Sequence, residues 1–148
     1  MIQGLGTALA TPFNEDLSVD FDSFKTLILH QINGGTDYVV VLGTTGESPV
    51  INDFEREKLI ETALETADGK IKVIIGTGSN DTQKVVKYNS MAEKYKVDAL
   101  LIVNPYYNKG TQESLVLHYK YISERTDKPR PSKKSYILFF IYVTVIHK

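Results

Sequence analysis

Four short segments concentrate the residues that could do chemistry. They are Thr11-Pro12-Phe13, Gly43-Thr44-Thr45-Gly46-Glu47-Ser48, Gly76-Thr77-Gly78-Ser79-Asn80 and Asn104-Pro105-Tyr106-Tyr107-Asn108-Lys109-Gly110. The second is the sharpest. Two glycines bracket two hydroxyls, so successive backbone N–H groups can converge on an anion while Thr44 and Thr45 bind a carboxylate or pass a proton. Alone, it reads equally well as a strand-to-helix turn capped by Thr and Ser. It is not a phosphate loop, since no Gly-Lys-Ser/Thr follows the glycines. Nor is it a dinucleotide fingerprint, since the third glycine is missing. Tyr106 and Tyr107 could donate to an oxyanion or relay a proton. Taken singly, each fits interface packing better.

These segments follow short apolar runs at residues 6–10, 38–42, 71–75 and 99–103. The runs are β-branched and apolar on both faces, as in buried strands. Between them lie helical stripes: Phe21, Phe24, Leu27, Ile28 and Ile32; Phe54, Leu59, Ile60, Ala63 and Leu64; Val85, Tyr88, Met91, Ala92 and Tyr95; Leu115, Tyr119 and Ile122. Asn52 followed by Glu55 predicts a capping box. Gly34-Gly35 and Asp68-Gly69 stand where helices should stop. The βα alternation implies a parallel sheet covered by helices, with function in loops at the carboxyl ends of strands. Two architectures fit: an open doubly wound sheet, or the first half of a (βα)8 barrel, which needs ~250 residues. An open-sheet receiver or nucleotide-binding domain would carry an acidic cluster or phosphate loop at the strand ends, and neither is present.

Composition narrows the function classes. A chain of 148 residues with 42% hydrophobic and 24% charged content is ordinary for one globular domain. A net charge of −1 gives no field to hold nucleic acid or an anionic membrane. The absence of cysteine excludes disulfides, thiolate metal sites and thiol nucleophiles, and fits a reducing cytoplasm. No signal peptide is read at Met1-Ile2-Gln3-Gly4. The apolar run at 136–146 is shorter than the ~20 residues a bilayer needs. His30, His118 and His147 do not have metal-ligand spacing, so no metal site is expected.

Taken together and in order, the 43–48, 76–80 and 104–108 segments resemble the dihydrodipicolinate synthase (4-hydroxy-tetrahydrodipicolinate synthase) family, pyruvate-dependent lyases of bacterial lysine biosynthesis. Residues 6–13 and Thr111-Gln112-Glu113 fit as well, and the similarity covers roughly residues 2–129. The related N-acetylneuraminate lyases share a similar Thr-Gly-Glu loop, but Pro105-Tyr106-Tyr107-Asn108 favours the synthases. The resemblance implies an α/β fold: the first half of a TIM-type barrel, about four βα units, with room for an extra strand. It implies that Thr45 holds the pyruvate carboxylate and that Thr44 and Tyr107 belong to a proton relay. Tyr107 would reach a neighbouring subunit's site, and Tyr106 would pack at the same contact, in a dimer or tetramer. The chemistry would be an imine between a lysine and pyruvate, tautomerised to an enamine that attacks aspartate semialdehyde, without a cofactor. Such a lysine must be neutral to react.

Two departures matter. Residues 1–129 are expected to form a partial barrel domain, and 130–148 an atypical tail. The family continues after this point with a fifth strand, an arginine for the second substrate, and the nucleophilic lysine on a sixth strand. Neither Tyr136, Tyr142, Lys133 nor Lys134 stands in a matching context, so the chain alone is expected to be inactive. A change of reading frame or an expression scar would account for the tail, which is expected to pair as a makeshift fifth strand or else leave an open edge. The alternative is a noncatalytic remnant that assembles with intact subunits. The second departure concerns regulation. Ser48, Asn80 and Tyr106 match a lysine-inhibition pocket at the dimer contact, but Asp53, Arg56 and Lys84 replace its usual residues. A lysine effector would meet the like charge of Lys84, so inhibition is expected to be weak or absent.

Overall fold

Each apolar run is a strand because its β-branched side chains suit a pleated surface that is covered by helices. In the computed structural model, which describes residues 2–108 and 110–126 and the backbone of 136–140, the elements alternate along the chain. The strands are β1 (Gly6–Ala8), β2 (Tyr38–Val41), β3 (Lys72–Gly76), β4 (Ala99–Val103) and β5 (Tyr136–Phe140). The helices are α1 (Phe21–Asn33), α2 (Asp53–Ala67), α3 (Thr82–Ala92) and α4 (Gln112–Arg125). All five strands are parallel, and the sheet order is β1-β2-β3-β4-β5. That strictly sequential order decides between the two architectures. A doubly wound sheet reverses direction at a switch point, whereas a barrel adds each strand beside the last. The tail contributes β5, which pairs with β4 from Tyr136 opposite Ala99 to Phe140 opposite Val103. Residues 127–135 and 141–148, where the rest of the expected tail and His147 fall, lie outside the described residues.

The core lies between the sheet and its helices. Val39 and Val41 of β2, Val73 and Ile75 of β3, and Leu100 of β4 bury against Phe24, Ile28, Leu59, Ile60 and Ala63. A smaller cluster of Val85, Ile102 and Ile122 joins α3 and α4 to β4. The alternate residues Tyr38, Val40, Leu101 and Val103 are only half-buried, as expected of strand positions on the opposite face. Truncating a fully buried residue such as Leu59 should cost about 2–5 kcal/mol.

The helix ends follow the sequence. Asn52 accepts from the Glu55 backbone N–H at 3.0 Å and Glu55 accepts from the Asn52 N–H at 3.1 Å, completing the capping box of α2. Asp20, Asp81 and Thr111 cap the other helices through side-chain oxygens that accept first-turn backbone N–H groups. One stripe differs from expectation. Phe54 is 68% exposed, because the buried face of α2 runs through Arg56, Leu59, Ile60, Ala63 and Ala67. Phe54 is two residues from Arg56 and so points to another face of the helix. No helix among the described residues is long and apolar enough to cross a membrane.

Candidate functional site

At the carboxyl ends of β2, β3 and β4 the backbone is packed too closely for side chains. A Cβ on Gly76 would lie 2.1 Å from the Leu42 carbonyl oxygen, and one on Gly78 would lie 2.6 Å from the Val103 nitrogen. The three strand ends therefore converge, and a cleft of about 620 Å³ opens beside them. Thr44, Ser48, Asn104 and Tyr106 contribute its polar lining, and Leu42, Pro49, Leu101 and Val103 its apolar lining. Among the sequence-predicted site residues, the structure brings Thr44, Ser48 and Tyr106 together there. Thr45, Asn80 and Tyr107 lie outside that lining.

The 43–48 segment is not a plain loop. It is two consecutive 3-10 turns, Thr44–Gly46 and Ser48–Val50, joined by Glu47 in the left-handed region at φ 52°. The first turn is closed by the Gly46 N–H donating to the Gly43 carbonyl and the Glu47 N–H donating to the Thr44 carbonyl, each at 3.1 Å. This shape leaves Thr44 and Thr45 exposed while Gly46 and Ser48 are buried. Leu42 just before it is also left-handed, at φ 60°. Non-glycine residues in this region cost on the order of 1–3 kcal/mol and persist where their surroundings over-determine them.

Two side chains from outside the segment bond to it. Thr11, after β1, donates through Oγ1 to the Gly46 carbonyl at 2.7 Å. Arg56, 2% exposed, donates to the Ser48 carbonyl at 2.9 Å and the Ser48 hydroxyl at 3.0 Å, with a longer 3.5 Å contact to the Gly76 carbonyl. The face of its guanidinium stacks 3.9 Å from the Tyr88 ring centre. Burial pushes the Arg56 pKa below its ordinary value, and Tyr88, Asp53 and Tyr106 oppose that shift. Asp53 itself is paired at the surface with Lys87. Lys84 is exposed.

The segment after β4 is held from behind. The Tyr119 hydroxyl on α4 is 2.5 Å from Asn104 Oδ1, which anchors the start of the 104–107 run. Tyr106 is 41% exposed and Tyr107 95% exposed, the latter left-handed at φ 68°. The Tyr107 side chain therefore stands almost wholly on the surface, at a backbone position that costs energy for a non-glycine residue. His118 does not approach the cleft. It is buried between α3 and α4 with Nδ1 2.8 Å from the Thr82 hydroxyl, and burial lowers its pKa.

Arg56, Thr11 and Tyr119 are site-supporting residues that motif reading did not single out as such. Arg56 had a signal: it occupies the core-facing position three and four residues before Leu59 and Ile60, where a charge needs partners. Tyr119 had a weaker one, as a helix-stripe residue with a hydroxyl to satisfy. Thr11 had none beyond its place after β1.

Comparison with known proteins agrees with this geometry. The model of the Dihydrodipicolinate synthetase family matches residues 1–130. The chain is 53% identical over 127 residues to the 4-hydroxy-tetrahydrodipicolinate synthase of Thermotoga neapolitana, covering 86% of this chain and 43% of that protein. It is 50% identical over 129 residues to the synthase of Fervidobacterium nodosum, covering 87% and 44%. The crystal structure of dihydrodipicolinate synthase from Thermotoga maritima superposes with a TM-score of 0.83 at 48% identity, covering 94% of this chain and 44% of that one. The chain thus spans less than half the length of these relatives and matches the N-terminal part of their TIM-type barrels. With the sequential parallel sheet and the turns at its carboxyl ends in place, the chain belongs to the dihydrodipicolinate synthetase family.

Proposed function

We propose that these residues form the carboxylate-binding and proton-relay half of a pyruvate-dependent Schiff-base lyase that condenses pyruvate with aspartate semialdehyde in lysine biosynthesis. The observation that carries this reading is the Thr44–Gly46 turn, which offers two hydroxyls at the strand ends above a cleft. Thr45 would hold the pyruvate carboxylate through its hydroxyl and backbone N–H. Thr44, at the cleft wall, and Tyr107 would pass protons during imine formation. Serine and threonine hydroxyls both donate and accept, which a relay requires. The attacking amine would come from a lysine outside these residues, so the chain alone would not turn over. The test is a titration of the labelled chain with pyruvate, followed through the amide resonances of residues 43–46. Shifts confined to that turn, and weakened several-fold in Thr45→Val, are expected; an unperturbed turn at saturating pyruvate would refute the reading.

A second reading is favoured by the full exposure of Tyr107. The chain would serve as a noncatalytic remnant that assembles with intact subunits as a dimer or tetramer and lends Tyr107 to a neighbour. Mixing it with an intact relative separates the two, since only an assembling chain changes that enzyme's size or activity. Residues 130–148 would then be a tail whose strand β5 protects the edge of β4. In either case lysine would be a poor effector at the contact that includes Ser48, Asn80 and Tyr106. The like charge of Lys84 would oppose an ammonium group there.

A further inference from the structure

We infer that Arg56 is a positioning residue, which holds the turn presenting Thr44 and Thr45 by gripping Ser48 from beneath. The inference deepens the reading above and rests on it for the importance of that turn. Arg56 stands on the fourth residue of α2, where the helix dipole disfavours a cation. It faces the core, where a leucine would pack without losing hydration. Neither helix stability nor core packing therefore accounts for an arginine at this place.

Its partners do. Its two terminal nitrogens donate to the Ser48 and Gly76 carbonyls and the Ser48 hydroxyl, and none of these bonds goes to a carboxylate. Two of its bonds end on Ser48, the residue directly after left-handed Glu47. The third contact, to Gly76, ties the same side chain to the end of β3. A buried cation donating to oxygens makes bonds about twice as strong as neutral ones. Low local polarity strengthens them further. The planar fork spans Ser48 and Gly76 while its face lies on Tyr88, an arrangement a lysine ammonium cannot copy. Releasing the fork would leave the strained Glu47 free to relax, and the two 3-10 turns on either side would open with it. Thr44 and Thr45 would lose their fixed presentation without any change to their own chemistry.

The test is amide hydrogen exchange on the full 148-residue chain, with Arg56→Met, Arg56→Lys and Ser48→Ala. The reporters are the Gly46 and Glu47 amides that close the first turn, with the Phe24 and Ile28 amides of α1 as the reference. Arg56→Met should speed exchange at Gly46 and Glu47 by about tenfold to hundredfold and leave the reference amides unchanged. Arg56→Lys should restore part of that protection. Ser48→Ala, which keeps the backbone carbonyl, should give a smaller rise and carries the readout if Arg56→Met does not fold. Unchanged exchange at Gly46 and Glu47, or an equal rise across α1, would overturn the inference. Pyruvate affinity should weaken in step with the exchange rates, and faster exchange with unaltered affinity would also overturn it. If the unsubstituted chain takes up no pyruvate, the lyase reading fails by itself and the exchange rates still judge the clamp.

Discussion

Gly76→Ala tests the convergence of the strand ends most sharply. The added methyl would sit 2.1 Å from the Leu42 carbonyl oxygen, 2.6 Å from the Leu42 carbonyl carbon and 2.9 Å from the Gly43 nitrogen. All three are backbone atoms, so no flexible side chain can give way. The closest approach that Cβ atoms tolerate is 3.0 Å, so the end of β2 must retreat by about 0.9 Å. Overpacking of this kind costs about 1–3 kcal/mol. Opening the last β2–β3 ladder bonds adds about 1 kcal/mol for each bond lost. A total of about 3–4 kcal/mol is expected, which should lower the urea midpoint by about 1.5–2 M. Gly35→Ala is the control: Gly35 is left-handed at φ 76° with nothing near its Cβ position, so only backbone strain of about 1–2 kcal/mol applies. Because Leu42 leads into Gly43, Gly76→Ala should also displace Thr44 and disturb the amide resonances of the 43–46 turn. If Gly76→Ala proves no more destabilising than Gly35→Ala, the strand ends do not meet as described.

Asn52→Ala removes the side-chain oxygen that accepts from the Glu55 N–H, while the Glu55 carboxylate keeps the backbone N–H of residue 52, and should cost about 1 kcal/mol with faster exchange in the first turn of α2. Tyr119→Phe removes the bond to Asn104 and should cost about 1 kcal/mol by denaturant unfolding while loosening the 104–107 run. His118 has a folded-state pKa below its ordinary 6.5, so the unfolded chain takes up its proton first as pH falls. Stability from this group is therefore complete above about pH 6.5 and declines as pH drops toward the lowered native value. His118→Asn should flatten that part of a stability–pH profile.

Much of the fold was legible because parallel strands and crossover helices carry strong local patterns. The apolar runs leading into residues 42, 76 and 103 and the Asn52–Glu55 pair needed no tertiary information. Periodicity alone could not choose between barrel and open sheet, since both use the same βα unit; only the order of pairing distinguishes them. The motifs single out Thr44, Ser48 and Tyr106, Thr44 for a relay and the other two for a subunit contact; that all three line one cleft is seen only in the folded chain. The left-handed backbone at Leu42, Glu47 and Tyr107 was not legible, because none of these residue types advertises a positive φ. Hydrophobicity places Phe54 in the core stripe, yet the helix turns it outward and sends Arg56 inward. The register of Arg56 with Leu59 and Ile60 points it inward, but only its partners at Ser48 and Gly76 explain how a charge is buried there.

The most direct test of the central claim, that this chain supplies the turn and the relay but not the amine, is reductive trapping. The chain and the intact Thermotoga neapolitana relative would be incubated together with pyruvate and borohydride, and their intact masses read side by side. The relative should gain a stable pyruvyl adduct while the mass of this chain stays unchanged. An adduct on any lysine of this chain would contradict the account.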